Sequence, residues 1–289
     1  MEHSFGIGQF KKLFETNIVL TMKNITIAIS TCPNDTFIFA ALVNGWIDTP
    51  GYQFRPVFAD IDRLNQWMDQ EKYPVIKVSY HAWAYCRDKY HLLQSGGALG
   101  HGCGPLLISA EKLNLQDIYP EQTVAIPGYK TTANFLLSVF FPKLTRKKSM
   151  IFSDIEDAVI HHQFDLGLII HENRFTYAQK GLHKVADLGE MWENLTQSPI
   201  PLGAIVAHKD LPADERKQLD HWIKSSLEFA YQHTDKVMEF VKKYAQNMDL
   251  QVMKKHIDLY VNQYSFELGE SGNKAVECLL DFGKKNHLW

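Results

Sequence analysis

Four short stretches of the chain carry side chains able to hold or transform a small molecule. Ser30-Thr31-Cys32-Pro33-Asn34-Asp35-Thr36 gathers hydroxyls, an amide and a carboxylate in one polar turn. Lys77-Val78-Ser79, Thr131-Thr132-Ala133 and His171-Glu172 are the other three. Hydroxyls and free backbone N–H groups at a helix start favour an anion, because the helix dipole is positive there. The imidazole of His171 exchanges a proton near neutral pH, which suits a general base. Each stretch also has an ordinary structural use. Ser30, Thr31, Asn34 and Asp35 can form a turn and cap a helix, and Ser79 can cap the run from Tyr80. The two threonines can cap the run that follows them, and a histidine can simply pack. The three polar strand ends, at Ser30–Thr36, Lys77–Ser79 and Thr131–Ala133, are more informative together than any one alone.

Spacing argues against several other chemistries. His171-Glu172-Asn173-Arg174-Phe175 has Phe where a zinc-protease helix needs its second histidine. The adjacent pair His161-His162 points two ways on a helix and makes a poor chelate. Gly96 to Pro105 holds five glycines but neither a G-x-x-x-x-G-K-[ST] nor a G-x-G-x-x-G pattern, so it reads as a turn or hinge. There is no G-x-S-x-G elbow and no C-x-x-C pair. Cys32 stands at a helix start, where a thiol pKa falls, but no histidine can be set beside it, and it reads as packing. No metal site is expected.

The elements that must position these residues follow from hydrophobic periodicity. Strand-like runs occupy 24–29, 53–58, 75–79, 123–126, 150–153, 165–170 and 202–207, with 106–109 extended. Helical runs occupy 35–44, the segment capped by Asp60, 81–89, the segment after Asn134, a run from Asp154, and nearly everything after Leu211. Strands alternating with helices imply βαβ units and a mostly parallel sheet. The four stretches then fall at carboxyl ends of strands, where such sheets hold ligands. The order predicts an α/β protein with a discontinuous first lobe, 22–107 and 203–289, and an inserted second lobe, 108–202. The cleft between them is the default ligand site. Residues 1–21 read as an extension ahead of a second methionine, Met22.

A chain of 289 residues with 45% hydrophobic residues suits two globular lobes. The net charge of -3, spread along the chain, calls for neither nucleic acid nor a membrane surface as partner. Four irregularly spaced cysteines suit a reducing compartment. The basic pair Lys11-Lys12 is followed by Leu13-Phe14-Glu15-Thr16-Asn17, which interrupts any signal-peptide core, so a cytoplasmic location is expected.

The segments "STCPNDTFIF", "KVSYHAWAY", "GCGPLLI", "IPGYKTTANFLL" and "DLGLIIHENRFTY" together resemble the 1,4-dihydroxy-6-naphthoate synthase family of the futalosine route to menaquinone. The resemblance spans about residues 24–210. It implies a two-lobed periplasmic-binding-protein-like (type II) fold with a central interlobe cleft. It also implies a lyase that converts cyclic dehypoxanthinyl futalosine to 1,4-dihydroxy-6-naphthoate without metal or organic cofactor. His171 takes the place of the family's proton acceptor, and Lys77, Val78, Ser79, Thr131, Thr132 and Ala133 take the places of its ligand contacts. Thr31 departs from the family, which commonly has proline there. The partner implied is a carboxylated cyclic futalosine derivative, bound by a monomer or homodimer. Two other classes share the fold: a solute-binding protein for an organic anion, and a chorismate dehydratase-like enzyme of the same pathway. The missing export signal counts against the first. The His-Glu strand end and the "CPNDTF" turn count against the second.

Overall fold

The computed structural model describes residues 22–245 and 249–289. The extension read over 1–21 lies outside the described residues. The chain opens with β1 (Lys23–Ile29), α1 (Pro33–Val43), β2 (Tyr52–Phe58), α2 (Ile61–Asp69), β3 (Val75–Ser79) and α3 (Tyr80–Ala84). Two short strands, β4 (Tyr90–Leu92) and β5 (Ala98–Gly100), precede β6 (Leu106–Ser109). Then come β7 (Val124–Ile126), α4 (Thr132–Phe140), β8 (Lys147–Ser149), α5 (Ile155–Ile160), β9 (Leu166–Ile169), β10 (His183–Asp187), α6 (Leu188–Thr196) and β11 (Ile200–His208). The helices α7 (Ala213–Gln232), α8 (Thr234–Tyr244), α9 (Leu250–Tyr260), α10 (Gln263–Phe266) and α11 (Gly269–Lys285) complete the chain.

The strands form two sheets. One runs β2-β1-β3-β11-β4, with β5 also paired to β11; the other runs β10-β6-β9-β7-β8. The chain therefore leaves the first sheet after Gly100 and returns to it at Ile200. All of β6 lies in the second sheet and all of β11 in the first, so the changeovers fall a few residues before 107 and 203.

Both sheets are mixed, where the alternation of strands and helices predicted mostly parallel ones. β1, β2 and β3 are parallel, as are β7, β8 and β9. β11 is antiparallel to β3, and β6 to β9. The reason lies in the crossings. Gly203, near the start of β11, pairs with Ser79 at the end of β3, and Leu106, the start of β6, pairs with Ile169 at the end of β9. A strand that arrives from the other sheet enters at the carboxyl edge and must run back along its neighbour.

Past its polar first turn helix α1 is apolar on every side, and all its residues from Pro33 to Leu42 are buried, between the first sheet and α7, α8 and α9. It starts at Pro33 rather than 35 because proline's missing N–H costs nothing at a first helical position. β1 alternates as a two-sided strand: Ile25, Ile27 and Ile29 pack with α1 and α7, and Ala28 faces the opposite core. The helix read over 81–89 ends at Ala84. The chain then turns through Tyr85 N to Ala82 O and Cys86 N to Trp83 O, which brings Tyr90 alongside His208 in β11. The strand read at 150–153 lies at Lys147–Ser149, in register with β7, and Phe152 dips into the core on a turn of 3-10 helix. The four cysteines are unpaired. Among the described residues, no helix is long and apolar enough to cross a membrane.

Candidate active site

The carboxyl edges of the two sheets face one another across a cavity of about 630 Å³, counting its mouth. Four helices begin at its wall: α1 after Ser30, α2 at Ile61, α3 after Ser79 and α4 after Thr131.

The polar turn forms one wall. Asp35 is buried and accepts from Ser30 Oγ (2.7 Å), Asn34 Nδ2 (3.0 Å) and Lys77 Nζ (2.6 Å). Lys77 and Asp35 make a buried ion pair; removing either partner alone would leave an uncompensated charge. The lysine stem crosses Gly203, where a Cβ would stand 2.6 Å from Lys77 Cε, so β11 needs glycine at that point. Ser79 is held by Asn65, which accepts from Ser79 N (2.9 Å) and donates to its Oγ (3.1 Å).

The second lobe supplies the T-T-A turn. Thr131 caps α4 by accepting from Asn134 N (3.2 Å) while donating to Gly128 O (2.7 Å). Thr132 Oγ1 donates to Leu202 O (3.0 Å) in the returning segment. Thr131 thus caps a helix and lines the cavity at once, whereas Ser79 stands at the start of α3 without a side-chain cap bond and bonds to Asn65 instead.

His171 follows β9 and opens a 3-10 helix, His171–Phe175. Five described non-glycine residues have positive φ, and His171 (φ +57°) alone of them lines the cavity. Such a backbone costs about 1–3 kcal/mol and persists only when its surroundings enforce it. Here Glu156 accepts from Asn173 Nδ2 (2.6 Å) and Lys180 Nζ (2.8 Å). Arg174 reaches Gly104 O and Asp187 Oδ2 (2.8 Å). The ring packs edge-on against Phe152, and its Nε2 is buried without a hydrogen-bond partner. Burial pushes its pKa down to about 4, against the upward pull of Asp35, so the imidazole is neutral at neutral pH and free to accept a proton.

Ser30, Asn34, Asp35, Lys77, Ser79, Thr131, Thr132, Ala133 and His171 all line the one cavity. Two expected contacts do not. Val78 is fully buried in the hydrophobic core, because successive strand residues point to opposite faces and the cavity takes Lys77 and Ser79. Thr31 is half-buried outside the lining, since the turn spends Ser30 and Asp35 on each other. The sequence also left lining residues unnamed. Cys103 and Pro105 belong to the glycine-rich crossing, and Leu202 and Gly203 to the return; in a two-lobed chain the crossings border the cleft, a signal that was present. Tyr260 comes from α9, where nothing in the helical pattern marks it. Among the described residues, no group of three or more His, Cys, Asp or Glu side chains could hold a metal ion.

Two mixed α/β sheets, joined by two crossings and facing each other over such a cavity, define a periplasmic-binding-protein-like fold. The solved protein AF1704 from Archaeoglobus fulgidus superposes with a TM-score of 0.86 at 31% identity, covering 92% of this chain and 98% of that one. The alkanesulfonate-binding protein SsuA from Xanthomonas axonopodis pv. citri superposes at 0.70, with 10% identity over 92% of this chain and 93% of that one, a likeness of fold alone. Residues 25–285 match a family model described as menaquinone biosynthesis. Relatives named 1,4-dihydroxy-6-naphtoate synthase, from Thermus thermophilus and Streptomyces coelicolor, are each 40% identical, over 89% and 90% of this chain and 93% of either relative. The chain belongs to the 1,4-dihydroxy-6-naphthoate synthase family and is an enzyme of menaquinone biosynthesis.

Proposed function

We propose that this chain cleaves cyclic dehypoxanthinyl futalosine to release 1,4-dihydroxy-6-naphthoate, with His171 as the proton acceptor. Family membership supports the substrate. The observation that carries the base is the buried, unpartnered Nε2 of a neutral imidazole on the cavity wall. The substrate is a carboxylated ring system bearing a cyclised ribose remnant. Its carboxylate suits the positive ends of the helices that start at the wall, and its hydroxyls suit Ser30, Ser79 and Thr131. His171 takes a proton at Nε2 from a hydroxyl or from a carbon beside a carbonyl. The electron pair left behind breaks the C–C bond of the sugar remnant and expels the oxygen of its C–O bond, which takes the proton back from the His171 imidazolium; the remnant leaves as a small sugar-derived fragment, and formation of the aromatic diol drives the cleavage. The chemistry is redox-neutral and calls for no cofactor; the site of action is the cytoplasm.

Incubating the protein with cyclic dehypoxanthinyl futalosine and reading the naphthoate by absorbance or mass tests the activity. Binding without product would instead favour a solute-binding role. A folded H171N variant is expected to lose about 10²- to 10⁴-fold in kcat, the usual worth of a positioned base. Near-normal turnover by that variant would remove His171 from the role.

A further inference from the structure

Behind the cavity lies a group of polar side chains that this mechanism leaves unused. His256, on α9, is 0% exposed, and Glu172, next to the proposed base, is 6% exposed. His256 Nε2 is 2.9 Å from Asn34 Oδ1, and its Nδ1 is 3.6 Å from Glu172 Oε2. Neither Nδ1 nor Oε2 has a hydrogen-bond partner. The His256 ring stacks on His171, with centroids 6.0 Å apart and planes 24° apart.

Proton positions follow from these partners. Asn34 donates through Nδ2 to Asp35 Oδ1, so its Oδ1 is an acceptor and His256 Nε2 carries the proton that meets it. Nδ1 of a neutral His256 is then a bare acceptor facing a carboxyl oxygen. Two buried acceptors 3.6 Å apart, just beyond hydrogen-bond length, repel unless one of them carries a proton toward the other. Burial lowers the basicity of His256, and the neighbouring His171 and Lys77 lower it further; burial also raises the pKa of Glu172. With one proton to place, these directions favour the carboxyl of Glu172 over the ring of His256. The charged and titratable groups around His256 are His171 and Glu172 on the 3-10 helix, Asp35 on α1, Lys77 on β3 and Tyr260 on α9 itself.

We propose that Glu172, as a carboxylic acid, and His256, as its neutral Nε2–H tautomer, form a positioning chain to Asn34 that fixes the proposed base His171 against the Asp35–Lys77 wall. The chain joins the two lobes, since Glu172 follows β9 of the second sheet and Asn34 follows β1 of the first. It also keeps the ring stacked on His171 uncharged, so no cation opposes the proton that His171 takes up. The role in catalysis rests on the assignment of His171 as base; the proton arrangement does not.

Histidine-selective ¹⁵N NMR of the whole protein reads the arrangement without substrate. A neutral, Nε2-protonated His256 is expected, and a cationic ring or the Nδ1–H tautomer at neutral pH overturns the proposal. Kinetics then read the positioning. E172A is expected to lose about 10- to 100-fold in kcat with little change in KM, the scale of a slightly misplaced reacting group. E172Q, whose amide N–H can replace the carboxyl O–H, is expected to recover most of that loss. Equal damage in both variants would mean that the carboxylate charge, rather than the donated proton, is what matters, and the proposal would fail. If E172A does not fold, the NMR result and E172Q still decide. If H171N keeps turnover while His256 shows the expected tautomer, the base assignment has failed and the proton chain stands.

Discussion

His81, 5% exposed, donates from Nδ1 to Thr131 O at 3.2 Å and leaves its Nε2 buried without a partner. Burial pushes its pKa down to about 4, against an ordinary 6.5. Between those values the unfolded chain binds the proton and the folded one does not, so stability rises with pH across that window. The contribution of His81 is fully present above about pH 6.5 and is lost as the pH falls toward 4; the gap is worth on the order of 3 kcal/mol. His171, also lowered to about 4, and His256, lowered by burial, act in the same direction. Urea denaturation across pH 4 to 7 is expected to show this fall. H81N, whose amide N–H can keep the bond to Thr131 O, is expected to flatten it. An unchanged slope in H81N would show that His81 is not the group titrating. At this scale the sequence pointed to the cavity where a residue's chemistry and its place at a strand end agree, as for Ser30, Lys77, Ser79, Thr131 and His171. At Val78 strand parity overrides nearness to the cavity and turns the side chain into the core.

The elements show why a glycine-rich stretch misleads. Gly96 to Pro105 reads as a turn or hinge from composition, and one part of it, Ala98–Gly100, pairs with β11 as a strand. Its glycines meet particular neighbours. A Cβ on Gly104 would stand 2.3 Å from Gly189 Cα and 2.5 Å from Gly189 N, so two backbones touch where the crossing passes the start of α6. Backbone cannot swing aside as a side chain can. G104A is therefore expected to lower stability by about 1–3 kcal/mol, the usual cost of overpacking. It is also expected to raise KM, because Cys103 and Pro105 on either side line the cavity. A urea midpoint and KM matching the unsubstituted protein would contradict this close approach. The strands and helices themselves were legible because apolar period distinguishes them. Strand direction was not, because it depends on where the chain crosses between lobes, and periodicity carries no record of that.

At the scale of the whole molecule, the site is assembled from segments that are far apart in sequence. Asn34 and His256 are 222 positions apart yet hydrogen-bonded, and no local pattern in a helical tail announces such a pair. Contacts between the lobes also tie them: Lys130 Nζ lies 2.8 Å from Asp69, and Thr132 bonds to Leu202 O. Exposed pairs such as Lys130–Asp69 are worth about 0–1 kcal/mol, too little to hold two lobes shut without help. A ligand that touches both walls adds its own binding energy to the arrangement in which they face each other. Saturation at 100 times Kd would stabilise the folded chain by about 2.7 kcal/mol, or roughly 5–10 °C in melting temperature. The naphthoate product is expected to give that shift with the wild-type protein. H171N is expected to show nearly the same shift while losing turnover, because His171 is assigned to proton transfer and the carboxylate to the helix starts. Should H171N lose the thermal shift together with activity, the imidazole is a binding contact first, and the division between a binding wall and a chemical one does not hold.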